Sequence, residues 1–204
     1  MAKLSATVLT EEFHRMLSKR KSSGPLFVIG GHDPSGAGIQ ADIETAAAFK
    51  VRTNSLVTAL TVQNTSQVEK IETVNPHTLN EQIACLIKEH VPLAVKVGLI
   101  PDKEIAFIVS HFLRTLPPNT PIVIDPVIRS GSDVPLVQKG MGKLFMNELF
   151  PNATIVTPNF SEATNLTGRK NLEAAANVLL ESGCESVLVT DTEPSDPLIK
   201  NILF

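Results

Sequence analysis

From residue 25 onward the chain alternates short runs rich in apolar residues with longer stretches of helical periodicity. The apolar runs fall at 26–30, 54–61, 93–98, 121–125, 153–156 and 186–190. The helical stretches fall at 38–49, 77–89, 102–115, about 138–149, 161–167 and 171–182. A strand with no polar face must be covered on both sides, and parallel strands need long crossovers to join them. The pattern therefore predicts an α/β fold built on a mostly parallel sheet, helices packed on both faces. In such sheets ligands bind beyond the C-terminal ends of the strands. Prolines punctuate the elements at their junctions, as at Pro92, Pro117, Pro118, Pro121, Pro126, Pro151 and Pro158.

At 204 residues the chain is long enough for one such domain, assigned here to 25–204. Residues 1–24 read as an N-terminal extension, with a short amphipathic helix from Thr10 to Leu17 capped by Thr10, then basic Lys19-Arg20-Lys21. The net charge of −3 gives no basis for binding nucleic acid or an anionic membrane. The chain has no Trp and no Tyr, which argues against a base-stacking surface. No apolar run reaches membrane-spanning length, and Glu11, Glu12, His14 and Arg15 interrupt any signal-peptide core. The two cysteines, Cys85 and Cys184, lack metal-site spacing. Cys85, within Ile83-Ala84-Cys85-Leu86-Ile87, reads as a small core residue. A cytoplasmic protein is expected.

The residues with chemical potential cluster at predicted strand ends. The first apolar run leads into Gly30-Gly31-His32-Asp33-Pro34-Ser35-Gly36-Ala37-Gly38-Ile39-Gln40-Ala41-Asp42, a glycine-rich turn opening a helix. Such a turn admits a ligand close to the backbone, and the helix start offers unpaired N–H groups. Asp33, before Pro34, reads as a turn cap. Asp42 has two readings of equal weight, a carboxylate favoured in a helix's first turn and a ligand group. His32 has no role beyond lining a pocket. Gln63, in Thr58-Ala59-Leu60-Thr61-Val62-Gln63-Asn64-Thr65, carries a primary amide that can donate and accept side by side. Lys96, in Lys96-Val97-Gly98-Leu99, reads as a snorkelling edge residue without catalytic duty. Asp125 ends the run Ile122-Val123-Ile124 and could cap a turn, bind a metal or orient a phosphate. Arg129-Ser130-Gly131-Ser132-Asp133 reads as a polar flap. In Thr157-Pro158-Asn159-Phe160-Ser161-Glu162-Ala163, Asn159 and Glu162 meet at a helix start.

These strings, in this order, resemble three signatures of the hydroxymethylpyrimidine/phosphomethylpyrimidine kinases of thiamine biosynthesis, members of the ribokinase-like superfamily. The likeness runs from about Leu26 to about Phe204. It implies a three-layer α/β/α sandwich and ATP-dependent phosphorylation of 4-amino-5-hydroxymethyl-2-methylpyrimidine and of its monophosphate. It implies that Gln63 holds the pyrimidine, with Gly31, Ala37, Asp42, Gly98 and Leu99 around it. It implies that Asp125, Asn159 and Glu162 organise phosphates and Mg²⁺, the carboxylates of Glu162 and Asp125 acting on the metal in part through water. ATP and Mg²⁺ are the expected cofactors, the aminopyrimidine the expected partner, and a homodimer one expected assembly.

Two departures qualify the resemblance. The first loop has only Gly36 before Ala37 where two adjacent glycines are usual. The family's C-terminal Gly-Thr-Gly-Cys motif has no counterpart, Asp191-Thr192 standing where glycines are expected. That motif supplies the anion hole and the proposed base, so no catalytic residue is assigned, and a domain truncated at its C-terminus with slow turnover is expected. A catalytically inactive pyrimidine-binding remnant is the alternative. A pyridoxal-type vitamin kinase is a second one, against which the Gln63 context argues.

Overall fold

A computed structural model describes residues 24–130, 134–190 and 200–204. The expectations for Thr10–Leu17, for 131–133 of the flap and for Asp191-Thr192 lie outside the described residues. The element order is β1 (Leu26–His32), α1 (Ile39–Ala48), β2 (Thr53–Gln63), β3 (Val68–Thr73), α2 (Pro76–Glu89), β4 (Ala94–Val97) and α3 (Lys103–Thr115). β5 (Ile122–Ile124), α4 (Met141–Leu144), β6 (Ile155–Val156), α5 (Phe160–Thr167), α6 (Leu172–Glu181), β7 (Leu188–Val189) and β8 (Ile202–Leu203) complete it.

Six strands form a sheet in the order β3-β2-β1-β4-β5-β6. All neighbours are parallel except β3, which runs antiparallel to β2. Bridges from Val156 to Val187 and from Asn159 to Thr190 set the β7–β8 pair beside β6. β1 lies near the centre and is buried from Phe27 to Gly31, so both of its faces are covered. Phe27, Ile29, Val95 and Val97 point to one face, where they join Leu79, Ile83 and Ile87 of α2 and Phe112 of α3 in the main core. Phe27 stacks on Phe112 with centroids 6.3 Å apart. Gly30 and Lys96 point to the other face, which α1 covers through Ile39 and Asp42.

Local sequence sets the helix starts. Asn75 caps α2 by accepting from the N–H groups of His77 and Thr78, and Pro76 fills the first turn without wasting a donor. Asp102 caps α3 through Ile105 N–H at 3.0 Å, and Asn171 caps α6 through Ala174 N–H at 2.9 Å. α1 has no side-chain cap and starts instead at Gly38, with φ 59° and ψ −140°. A β-carbon there would lie 2.3 Å from the Gly31 carbonyl oxygen, so only glycine lets the loop fold back onto β1.

Four expectations need correction. The strand predicted over 54–61 runs to Gln63 and turns back as β3, which sequence reading passed over. Val68-Glu69-Lys70-Ile71-Glu72-Thr73 is mostly polar because it is an edge strand, and Lys70 pairs with Glu72 at its solvent face. The helix predicted over about 138–149 begins at Met141, passes into a π-helical turn at Phe145–Leu149 and closes with a 3₁₀ turn at Phe150–Asn152. Cys85 is exposed, because α2 buries Leu79, Ile83 and Ile87 and turns residue 85 away from that stripe. Lys96 is no edge residue, since β4 pairs with β1 on one side and β5 on the other.

Candidate active site

The chain leaves β1 toward β2 on one side of the sheet, and β4 lies on the other. The point where strand order reverses leaves a crevice at the strands' C-terminal ends. A cavity of about 370 Å³ fills it. Gly31, Ala37, Asp42, Gln63, Gly98 and Leu99, the six residues expected around the pyrimidine, all line it, and Asp125 does so too. They come from β1, the following loop, α1, the end of β2 and the segments after β4 and β5. A larger cleft of about 560 Å³ lies at the opposite end of the sheet, between Pro117, Pro118, Pro151 and Gly183. None of the expected residues faces it, and strand topology favours the smaller cavity.

The first loop is pinned at both ends. His32 and Gly38 form an antiparallel bridge, and Gly36 N–H donates to the Asp33 carbonyl at 3.2 Å. Asp33 is buried and caps the turn as expected, its Oδ1 accepting from Ser35 N–H at 2.7 Å and from Ser35 Oγ at 2.6 Å. Its second oxygen accepts from Gln63 Nε2, a contact that sequence reading did not anticipate. Thr61 Oγ donates to the His32 carbonyl at 3.0 Å and ties the end of β2 to the same loop. Gly31 leaves room for Leu99, whose Cδ2 would stand 2.7 Å from a β-carbon at that position.

The opposite wall is charged. Lys96 Nζ lies 3.2 Å from each carboxylate oxygen of Asp42 and 3.6 Å from Asp125 Oδ2. The three side chains are between 19% and 33% exposed, so water screens them only in part. Burial pushes the Asp125 carboxyl above its ordinary range; Lys96 acts against that, while the charge of Asp42 adds to it. Lys96 is thus a site residue that sequence reading missed. The available signal was a lysine inside an apolar run that a parallel sheet must bury, which demands counter-charges nearby.

Asn159 and Glu162 stand outside the cavity wall. They close a capping box at the start of α5: Glu162 N–H donates to Asn159 Oδ1 at 2.8 Å, and Asn159 N–H donates to Glu162 Oε2 at 3.0 Å. Ile128 N–H donates to Glu162 Oε1 at 3.4 Å, tying this helix start to the strap after β5. Glu162 is 9% exposed, and burial pushes its carboxyl up to about 7. The two backbone donors pull it down and the charge of Asp125 pushes it further up. Among the described residues no group of three or more acidic, His or Cys side chains converges. The acidic pair fits Mg²⁺ only as a minority of its ligands, with water and phosphate oxygens supplying the rest. Asp125 opens on the cavity and Glu162 stands behind it, its two oxygens already accepting from backbone.

The sequence profile of the phosphomethylpyrimidine kinase family matches residues 33–204. The chain is 35% identical over 178 residues to a chloroplastic thiamine biosynthetic bifunctional enzyme of Arabidopsis thaliana, covering 84% of this chain and 34% of that one. It is 32% identical over 170 residues to the hydroxymethylpyrimidine/phosphomethylpyrimidine kinase of Rhizobium meliloti, covering 80% of this chain and 63% of that one. It therefore spans less than two thirds of the length of either relative. Among solved structures, the phosphomethylpyrimidine kinase of Clostridium difficile 630 superposes with a TM-score of 0.78 at 33% identity, covering 88% of this chain and 80% of that one. The ADP complex of Staphylococcus aureus pyridoxal kinase superposes at 0.76 with 22% identity, covering 88% and 68%, a likeness of fold. With the profile matching all but the first 32 residues and the sheet matching a solved member, the chain belongs to the phosphomethylpyrimidine kinase family.

Proposed function

We propose that the cavity binds 4-amino-5-hydroxymethyl-2-methylpyrimidine and its monophosphate beside Mg-ATP, for phosphoryl transfer in thiamine biosynthesis. The observation that carries this reading is the convergence of Gln63, Gly31, Ala37, Asp42, Gly98, Leu99 and Asp125 on one cavity at the switch point of the sheet. In the proposed complex the Gln63 amide pairs with the ring edge, while backbone near Gly31 and Ala37 and the Leu99 side chain enclose it. Asp125 faces the phosphates and Mg²⁺. Asn159 and Glu162 act from behind, fixing the start of α5 and adding negative charge near the metal. The metal would neutralise charge on the transferring phosphoryl group, whose spread negative charge is the main thing such a site must stabilise. In the first transfer the hydroxymethyl oxygen attacks the γ-phosphorus, the bond to the β,γ-bridging oxygen breaks, ADP leaves and the hydroxyl proton passes to water; in the second a phosphate oxygen of the monophosphate is the nucleophile.

Calorimetric titration of the chain with the pyrimidine, with and without Mg-ATP, tests the reading directly. Saturable one-to-one binding is expected. Gln63→Ala should weaken it by about 10- to 100-fold, the cost of leaving a buried ring edge unpaired. Absence of binding, or equal affinity of the two proteins, overturns the assignment. Measuring ADP release on the same samples reports whether the bound pair turns over.

A further inference from the structure

The Gln63 amide is held by a partner that sets which of its two ends a ligand meets. Asp33 is 6% exposed, and both oxygens of its carboxylate are engaged, one by the loop and one by the end of β2. Oδ1 takes the N–H and the hydroxyl of Ser35, and Oδ2 takes Gln63 Nε2. Ser35 Oγ also lies 3.4 Å from that nitrogen. A carboxylate has acceptors only, so a primary amide set against it must turn its nitrogen inward. The reverse orientation would press a carbonyl oxygen against a carboxylate oxygen in a site with little water. Nor can the pair drift apart, for the loop is closed by the His32–Gly38 bridge and the end of β2 is tied to it through Thr61. Gln63 and Asp33 both line the cavity, so what Gln63 has left to offer a ligand is chiefly its carbonyl oxygen.

We propose that Asp33 is a specificity-setting, positioning residue that fixes Gln63 as a hydrogen-bond acceptor, so that the site selects heteroaromatic rings carrying an exocyclic amino group over those carrying a ring carbonyl at the same place. The proposal rests on the aminopyrimidine reading and adds to it the group that enforces the choice. Asp33 itself does not touch the ligand in this scheme; it acts through Gln63. A pyrimidone presents a carbonyl where the aminopyrimidine presents N–H, and so meets an acceptor with an acceptor. A site of fixed polarity rejects such an analogue more strongly than one whose amide is free to flip.

The test is the ratio of two affinities, measured by calorimetry with 4-amino-5-hydroxymethyl-2-methylpyrimidine and its 4-oxo counterpart. The unaltered chain should prefer the amino compound by about 10- to 100-fold. Asp33→Asn keeps the size of the side chain but can face Gln63 with either an oxygen or a nitrogen, so the ratio should collapse toward parity. A variant that merely loosens the loop would weaken both compounds together and leave the ratio alone. A preserved ratio in Asp33→Asn overturns the proposal and leaves the aminopyrimidine reading standing, as does an unaltered chain that binds both compounds equally. An unaltered chain that binds neither overturns both. Should Asp33→Asn not fold, the side-chain amide protons of Gln63, assigned in a nitrogen-15 spectrum by their loss in Gln63→Ala, give a second readout. They should be protected from exchange before ligand is added and should barely move when the aminopyrimidine binds. Unprotected protons, or a large shift on binding, would show the nitrogen turned to the ligand and would sink the idea.

Discussion

Glu162 answers to two demands at once, closing a helix start and keeping an ionisable carboxyl where little water reaches it. The capping box and the Ile128 contact give it three hydrogen-bonded links to backbone and the Asn159 side chain. Burial nevertheless dominates and raises its carboxyl from 4.5 to about 7. In the ligand-free protein this makes stability depend on pH in a fixed direction. Below about pH 4.5 the group is protonated whether the chain is folded or not, and no penalty applies. Between 4.5 and 7 the unfolded chain ionises first, so stability falls as pH rises, and above 7 the whole penalty is present, at most about 3 kcal/mol. Glu162→Gln has no such titration but gives up part of the capping box at every pH, at about 1 kcal/mol. Relative to the unaltered protein, its melting temperature should therefore climb as pH goes from 5 to 8, in scans without metal or nucleotide. Parallel pH profiles would show that burial does not control this carboxyl.

At the scale of elements, β4 carries the least ordinary choice in the sheet. Lys96 lies in the centre of a parallel array and meets Asp42 of α1 and Asp125 after β5. It thereby fastens the helix covering one side of the switch point to the strand on the other. Lys96→Met should lower stability by about 1–2 kcal/mol, since it leaves two carboxylates without a counter-charge in a partly screened site. Asp42→Asn in the Lys96→Met background should recover much of that loss. Urea unfolding with unchanged slope would measure both; strictly additive losses would mean that the triad is not a coupled unit. The same strand shows what could be read from the chain and what could not. Short runs such as Phe27-Val28-Ile29 and Val123-Ile124 announced themselves because a parallel strand is buried on both faces and has no polar residues to hide it. Lys96 was misread because an isolated lysine looks like a solvent-seeking one until its neighbours are placed, and Asp42 is 54 residues away in the chain. β3 was missed for the opposite reason: an edge strand tolerates Glu69, Lys70 and Glu72, so its pattern resembles a loop. The pocket residues were legible through the signature strings, whereas the Asp33–Gln63 contact joins positions that no local pattern links.

Considered as a whole molecule, the sheet divides the labour of the site between two sets of strands. β1 and β2, with the loop 33–37, supply Gly31, Asp33, Ala37 and Gln63. β5, the strap after it and the start of α5 supply Asp125 and, behind it, Glu162. β4 stands between them, and the cavity spans the gap. Because each half is anchored by its own hydrogen bonds, binding of the ring and binding of Mg-nucleotide should respond separately to substitution. Asp125→Asn removes a charge and keeps the shape, so it should weaken Mg-ATP by about tenfold or more, the loss of a charge-assisted contact. It should leave pyrimidine affinity nearly unchanged when nucleotide is absent. Gln63→Ala should do the reverse, and the double variant should show the sum of the two losses, since Gln63 bonds to Asp33 and Asp125 pairs with Lys96, with no partner in common. Thermal stabilisation at fixed ligand excess reads both, since a ligand that binds only the folded chain raises its stability in proportion to the logarithm of its excess over Kd. An Asp125→Asn protein that loses both ligands equally would mean that Lys96 and Asp42 carry the change across the switch point, and that ring and nucleotide sites form a single coupled unit. Unchanged Mg-ATP binding in that variant would remove Asp125 from the phosphate side of the site altogether.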